Sequence, residues 1–263
     1  MRVIVLIKQV PNTTDVKIDP ETNTLKREGV ESVINPFDAY AIEEGVRIKE
    51  RAGEGEVTVI SMGPPQAEDA LREALSLGCD KAILLSDRKF AGSDTWATSY
   101  ALSQAIRKIG DYDLIICGKQ ASDGDTAQVG PGVSMHLDIP QVTYVKKIES
   151  LTKEKATVER MTEEGFDIIE VPLPAVLTVV KEINEPRLPS LKGKMKAKKE
   201  QVPVWSADDV NCDEKKIGLD GSPTRVLKIF TPPPREKGRV LEGEPPDISK
   251  ELAGLLRDVV IGG

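Results

Sequence analysis

Two carboxylates and three glycines crowd one short stretch: Asp123, Gly124, Asp125, Gly130 and Gly132. An apolar run from Leu114 to Cys117 precedes them and reads as a buried strand. Val129, Val133 and Leu137 follow at helical spacing. A polar, glycine-bearing loop between strand and helix presents free backbone N–H groups and a positive dipole end to a phosphate. Asp123 and Asp125 would repel that anion, which leaves them ribose hydroxyls to receive or a helix to cap. Asp125 and Gln128 have capping-box spacing, which starts the helix at Thr126. Pro131, disruptive beyond a first turn, starts it at Gly130 instead. On either reading Gly124, Gly130 and Gly132 carry no side chain to keep a ligand from the backbone. A surface loop with a capped helix would show the same pattern. A calcium loop fails, because Ala127 stands where the third oxygen ligand belongs.

Other chemistry has little support. The three cysteines, Cys79, Cys117 and Cys212, are far apart and form no Cys-x-x-Cys, so neither a disulfide scaffold nor a metal site is expected and a reducing cytoplasm fits. Cys117 ends a predicted strand and reads as core. His136 is the single histidine, and without Gly-x-Ser-x-Gly a Ser–His–Asp hydrolase is disfavoured. The formal charge of −7 argues against nucleic acid as main partner. No apolar run approaches the roughly 20 residues of a membrane span. Met1-Arg2 leads straight into a strand-like run, so no signal peptide is expected.

The positioning elements follow from apolar periodicity. With 39% hydrophobic and only 4% aromatic residues, the core of this 263-residue chain is built from Val, Ile, Leu and Ala, as parallel sheets are. Strands are predicted at Arg2 to Ile7, Glu56 to Met62, Lys81 to Leu85 and Leu114 to Cys117. A short hairpin is placed around Val16-Lys17-Ile18. Helices are predicted from Asn35-Pro36, through Leu71 to Leu77 with Gly78 as cap, and over Thr95 to Ile109. Asn35 reads as a cap alone or as a cap that also meets a ligand. The β–α alternation implies a parallel sheet with right-handed crossovers, and ligands of such sheets sit beyond the carboxyl ends of the strands. Leu6, Asn35 to Asp38, Met62-Gly63, Thr95 and the 118–132 loop converge on that edge.

From Pro140 the pattern changes. Gln141 to Ile148, Ala156 to Met161, Phe166 to Val171 and Ala175 to Val180 read as an antiparallel ribbon, with Pro172 and Pro174 keeping the third strand near an edge. Residues 184–199 are Pro- and Lys-rich. They form either a solvated loop with a basic helix start or a docking segment, in which Leu188, Leu191 and Met195 among cations meet an acidic partner with an apolar pocket. Residues 201–263 read as an extended arm lying on another chain, with one strand at Arg225 to Phe230, Pro232-Pro233-Pro234 and a closing amphipathic helix from Asp247 to Ile261. The fold class is α/β: a Rossmann-like parallel sheet with helices on both faces, an antiparallel ribbon and an extended C-terminal arm. The domain limits fall at 1–200 and 201–263.

With these residues in view, the chain resembles the β subunit of an electron transfer flavoprotein over nearly its whole length. Lys8-Gln9-Val10, Val16-Lys17-Ile18 and Asn35-Pro36-Phe37-Asp38 with Ala41-Ile42-Glu43-Glu44 match the family's opening. Gly118-Lys119-Gln120-Ala121-Ser122-Asp123-Gly124-Asp125 matches its most specific loop. Val158-Glu159-Arg160 through Pro174-Ala175-Val176 resembles its ribbon. Asn184-Glu185-Pro186-Arg187 and Met195-Lys196-Ala197-Lys198-Lys199 match the segment that engages a dehydrogenase, with Leu191 as its anchoring leucine.

The resemblance implies a heterodimer with an FAD-carrying α subunit and a second nucleotide on this chain. The ordinary branch holds AMP there, behind an Asp-Asp-Asp and Gln-Thr-Gly-Gln loop. Here Asp123-Gly124-Asp125-Thr126-Ala127-Gln128-Val129-Gly130-Pro131 is similar instead to the electron-bifurcating branch. Members of that branch hold a second FAD, which takes hydride from NADH. One electron then goes to ferredoxin or flavodoxin, and one goes through the α subunit to an acyl-CoA dehydrogenase-type enzyme. The resemblance assigns Leu6, Asn35 to Asp38, Met62 and Ala121 to Gly132 to the nucleotide. It supplies no catalytic side chain, as expected where a flavin does the chemistry. A universal-stress-type sensor shares the sheet but explains neither the ribbon nor the Lys-rich segment. An ATP-pyrophosphatase would need a Ser-Gly-Gly-x-Asp-Ser loop where Lys8-Gln9-Val10-Pro11 stands.

Overall fold

Val3, Ile4, Val5 and Leu6 alternate between two cores, and that alternation organises the molecule. Val3 and Val5 join one buried cluster, Ile4 and Leu6 the other. Side chains alternate across a strand, so a run buried on both faces must be a central strand of a covered sheet. The computed structural model describes residues 1–12, 32–227, 238 and 240–261. The predicted hairpin at 16–18 and Pro232-Pro233-Pro234 lie outside the described residues.

The central strands are β1 (Arg2–Leu6), β4 (Glu56–Met62), β5 (Lys81–Leu85) and β6 (Leu114–Gly118). Between β1 and β4 come β2 (Gln9–Pro11) and β3 (Ser32–Ile34), paired antiparallel, and then α1 (Pro36–Ala52). The connections onward are α2 (Glu68–Leu77), α3 (Thr95–Ile109) and α4 (Val129–Leu137). The ribbon strands are β7 (Gln141–Leu151), β8 (Lys155–Met161) and β9 (Phe166–Pro172). They are followed by β10 (Ala175–Val179), α5 (Leu191–Lys199) and the two-residue β11 (Val204–Trp205). The sheet order is β11-β5-β4-β1-β6-β10-β7-β8-β9.

The antiparallel ribbon is real but holds three strands, not four. β9 is its edge, where its prolines are tolerated. β10 instead runs parallel to both β6 and β7 and is buried throughout. Its unbroken apolar run, Ala-Val-Leu-Thr-Val, is the composition of a strand covered on both faces.

Residues 201–227 also differ from the reading of a detached arm. β11 extends the sheet beside β5, and Ala207, Val210 and Ile217 are buried against the α3 side. Asp94 accepts hydrogen bonds from the Thr224 backbone N–H and hydroxyl at 2.9 and 2.8 Å. Residues 225–227 form no strand; the remainder of that predicted strand lies outside the described residues. The chain divides into the units Met1–Leu227 and Lys228–Gly263. The second contributes α6 (Pro245–Ile261), with Leu252, Leu255 and Leu256 exposed. Among the described residues no helix is long and apolar enough to cross a membrane.

Candidate functional site

The chain moves from β1 outward through β4 and β5, then returns to β6 on the other flank of β1. The carboxyl ends of β1 and β6 are therefore the topological switch point, where loops diverge and leave a crevice. Asp38, from the first turn of α1, reaches into it. The Lys8 backbone N–H donates to Asp38 Oδ2 at 2.7 Å and the Gly118 N–H donates to Oδ1 at 3.1 Å. One carboxylate thus ties the two diverging strand ends together. Burial pushes its pKa up to about 7, against the pull of those N–H groups. Gly118 permits the arrangement: a Cβ there would stand 2.5 Å from Asp38 Oδ1 and 2.6 Å from Phe37 Cβ.

Asn35, 1% exposed, does not cap α1 with its side chain. Its Nδ2 donates to Gln120 O at 2.8 Å, and its Oδ1 accepts from the Ser122 N–H at 3.0 Å. Asn35 holds the N-cap position of α1 through its backbone carbonyl, while its side chain is a bracket for the loop after β6, a contact neither sequence reading named. Lys8 Nζ reaches over the loop to Asp123 Oδ1 at 2.6 Å, and Gln120 Nε2 pairs with Asp125 Oδ1. Thr95 Oγ1 donates to Thr126 Oγ1 at 3.4 Å, placing the start of α3 beside the same loop. Asp125 and Ala127 both hold left-handed backbone, with φ of 54° and 55°. For alanine that conformation is costly and persists only where the surroundings enforce it.

The capping box does not form. α4 begins at Val129, between the two predicted starts, and Gln128 makes no side-chain cap bond. The backbone N–H groups of Val129 and Gly130 find no acceptor among the described residues, and Pro131 has none to offer. Gly124 faces open space. Gly130 and Gly132 also meet protein closely. A Cβ on Gly130 would meet Thr178 Cγ2 at 2.6 Å and Cys117 Sγ at 2.9 Å, and one on Gly132 would meet Ser99 Oγ at 2.4 Å. They let α4 lie against β10 and α3. Beside the loop, Lys8, Asp123, Met62, Gly63, Gln66 and Pro11 line a cleft of about 140 Å³.

Of the predicted residues, the structure brings Leu6, Asn35 to Asp38, Met62-Gly63, Thr95 and 121–130 to one edge. Lys8 was missed as a participant; Lys8-Gln9-Val10 matched the family's opening, but nothing local announced the reach of Lys8 to Asp123. Cys117 and His136 stay outside. The Cys117 thiol is buried and pushed far up by that burial. His136 packs against the rings of Trp96 and Tyr100, with centroids 4.4 and 5.5 Å away.

Away from that edge, Leu188, Leu191 and Met195 are 90%, 84% and 62% exposed. Gly193 lets α5 press onto α2, since a Cβ there would lie 2.1 Å from Ser76 O. Arg72 Nη1 donates to Ala197 O at 2.8 Å and fixes the other end of the helix.

Fold and edge together define an α/β protein whose sheet opens, at its switch point, onto a bracketed glycine-bearing loop and the start of a helix. Comparison with known proteins gives that class a family. Residues 22–210 match the electron transfer flavoprotein domain. The chain is 56% identical over 244 residues to the electron transfer flavoprotein subunit beta of Thermoanaerobacterium thermosaccharolyticum, covering 92% of this chain and 93% of that one. The subunit beta of Megasphaera elsdenii is 50% identical over 250 residues, with 93% and 92% covered. The caffeyl-CoA reductase-Etf complex subunit CarD of Acetobacterium woodii is 47% identical over 256 residues, with 97% and 96% covered. The chain belongs to the electron transfer flavoprotein family, on its beta-subunit side, and its counterpart is an alpha subunit.

Proposed function

We propose that this subunit holds an FAD at the carboxyl edge and takes part, with its alpha subunit, in flavin-based electron bifurcation. The observation that carries the reading is the loop from Gly118 to Val129. Its backbone is held from behind by Asn35 and Asp38, a Cβ at Gly124 would meet nothing within 4 Å among the described residues, and the loop ends on N–H groups of Val129 and Gly130 that find no acceptor among those residues. Such a cradle fits a diphosphate, and Asp123 and Asp125 fit ribose hydroxyls. A bound FAD would supply the redox chemistry: hydride from NADH brings two electrons, one passed to ferredoxin or flavodoxin and one sent through the alpha subunit. This chain's own residues bind and orient.

Leu188, Leu191 and Met195, exposed among lysines, present an apolar contact inside a cationic rim. That suits an acidic partner of the acyl-CoA dehydrogenase type. The name of the Acetobacterium relative supports such a partner.

One observation favours a second reading. The cleft beside the loop is about 140 Å³, small beside the roughly 300–1,000 Å³ of ligand pockets. Lys8 and Asp123, both on its wall, are joined across the loop. A mononucleotide such as AMP needs less room. Denaturing the purified heterodimer and counting released nucleotides decides between the two. Two FAD per heterodimer without AMP is expected; one FAD with one AMP would overturn the bifurcating assignment.

A further inference from the structure

α5 is seated on α2, but residues 184–190, which carry Leu188 and lead into Leu191, include no buried residue, so something must hold them in place. Residues 184–187 lie along α1, and α1 meets them with a row of side chains. Asn184 Nδ2 donates to Tyr40 O at 3.0 Å and to Glu44 Oε2 at 3.1 Å. Arg47 Nη2 donates to Glu185 O at 3.1 Å. Arg187 then closes the row. Its Nε donates to Glu43 Oε2 at 2.7 Å, and its Nη1 and Nη2 donate to the two carboxylate oxygens of Glu50 at 2.6 and 2.9 Å. Its own backbone N–H also donates to Glu43 Oε2, at 3.2 Å.

Glu43 is 3% exposed. A carboxylate so buried is retained only where it is paired and hydrogen-bonded. Arg187 and Arg47 satisfy it, and a planar guanidinium gripped on two sides has one orientation. Leu188 is the next residue, and Ser190 begins α5 two residues further on, with Leu191 at its first position. Leu188 and Leu191 thus stand one and four positions after this fork.

Resting on the docking role proposed above, we propose that Arg187 is a positioning residue. Its fork to Glu43 and Glu50 fixes where Leu188 and Leu191 stand, so it sets affinity for the partner dehydrogenase without touching it. The same helix, α1, carries Asn35 and Asp38 at its other end, so docking contact and loop bracket share one rigid element.

The test uses the intact heterodimer with an acyl-CoA dehydrogenase as electron acceptor, and the variants Arg187→Gln, Leu191→Ala and both together. Arg187→Gln is expected to raise KM for the dehydrogenase about tenfold with kcat and nucleotide content unchanged. The double variant is expected to be no worse than Leu191→Ala, because residues acting through one contact are not additive. Should Arg187→Gln not fold, Glu50→Gln removes half the fork and is expected to raise KM to a smaller extent. An unchanged KM in the Arg187 and Glu50 variants beside a raised KM in Leu191→Ala would sink the inference and leave the docking role standing. Full additivity would sink it too, placing Arg187's effect elsewhere. No change in Leu191→Ala would remove the docking role and the inference with it.

Discussion

The loop after β6 and the docking segment at 184–199 are held in opposite ways. The loop is fastened by buried groups that bond its main chain: Asn35 to Gln120 and Ser122, Asp38 to Gly118. What it shows outward is Gly124 among short polar side chains, Ser122, Asp123, Asp125 and Thr126. The docking segment is fastened by charge, Arg187 to Glu43 and Glu50, and what it shows outward is leucine and methionine side chains. Main-chain bonds hold a loop from one side and leave its other side open, whereas a guanidinium fork at the flank fixes the direction of the chain that leaves it.

The sharpest break in that contrast is Gly118→Ala. A methyl group at this position has nowhere to go, since Asp38 and the backbone of Phe37 already fill its space. The start of α1 would have to move, and overpacking of this kind costs about 1–3 kcal/mol. The unfolding midpoint of the heterodimer, at fixed subunit concentration, is expected to fall accordingly, and nucleotide content with it. An unshifted midpoint would mean that Asp38 does not bind the strand ends as described.

A second test uses the opposite titration of the two regions. Asp38 has its folded pKa raised to about 7 by burial, so over mildly acid pH the folded state keeps a proton the unfolded chain has lost. Its contribution to stability therefore falls as pH rises, by about 2 kcal/mol between about pH 5.5 and 8. Burial pushes Glu43 up as well, but the hydrogen bonds from Arg187 and Arg47 outweigh it and hold that carboxyl below its usual range. Its contribution is present at neutral pH and is lost as pH falls through the acid range. Asp38→Asn is expected to flatten the decline between pH 5.5 and 8 relative to wild type. Parallel pH profiles for the two proteins would show that Asp38 does not titrate there.

Much of this was legible in the sequence, for reasons that show what was not. β1, β4, β5 and β6 are apolar runs with turn residues at both ends, and α1, α2 and α3 carry clear starts and stops. The start of α4 was blurred because Asp125 and Ala127 adopt left-handed backbone that no capping pattern announces. β10 reads as part of the ribbon by position, though its unbroken apolar run already marked a central strand. β11 is too short to give a period. The sequence offers Gly130 and Gly132 as ligand glycines but not as the residues that let α4 approach β6, β10 and α3, because those contacts are long-range. The pairs that matter most, Lys8 with Asp123 and Arg187 with Glu43, join residues 115 and 144 positions apart, beyond any local pattern.

Gly124 gives the smallest effect and separates ligand from fold. No protein atom lies within 4 Å of a Cβ built there, and its backbone lies outside the left-handed region. Gly124→Ala is therefore expected to change stability by less than about 0.5 kcal/mol, as ordinary surface substitutions do. A charged side chain is another matter, because the space it enters is the space assigned to the nucleotide. Gly124→Asp is expected to leave the unfolding midpoint of the nucleotide-stripped heterodimer where it was and to lower FAD content. If both variants keep full flavin stoichiometry, bulk and charge at this position do not decide which nucleotide the subunit holds. If Gly124→Ala destabilises the protein as Gly118→Ala does, the loop is packed on both sides and has no open face to offer a ligand.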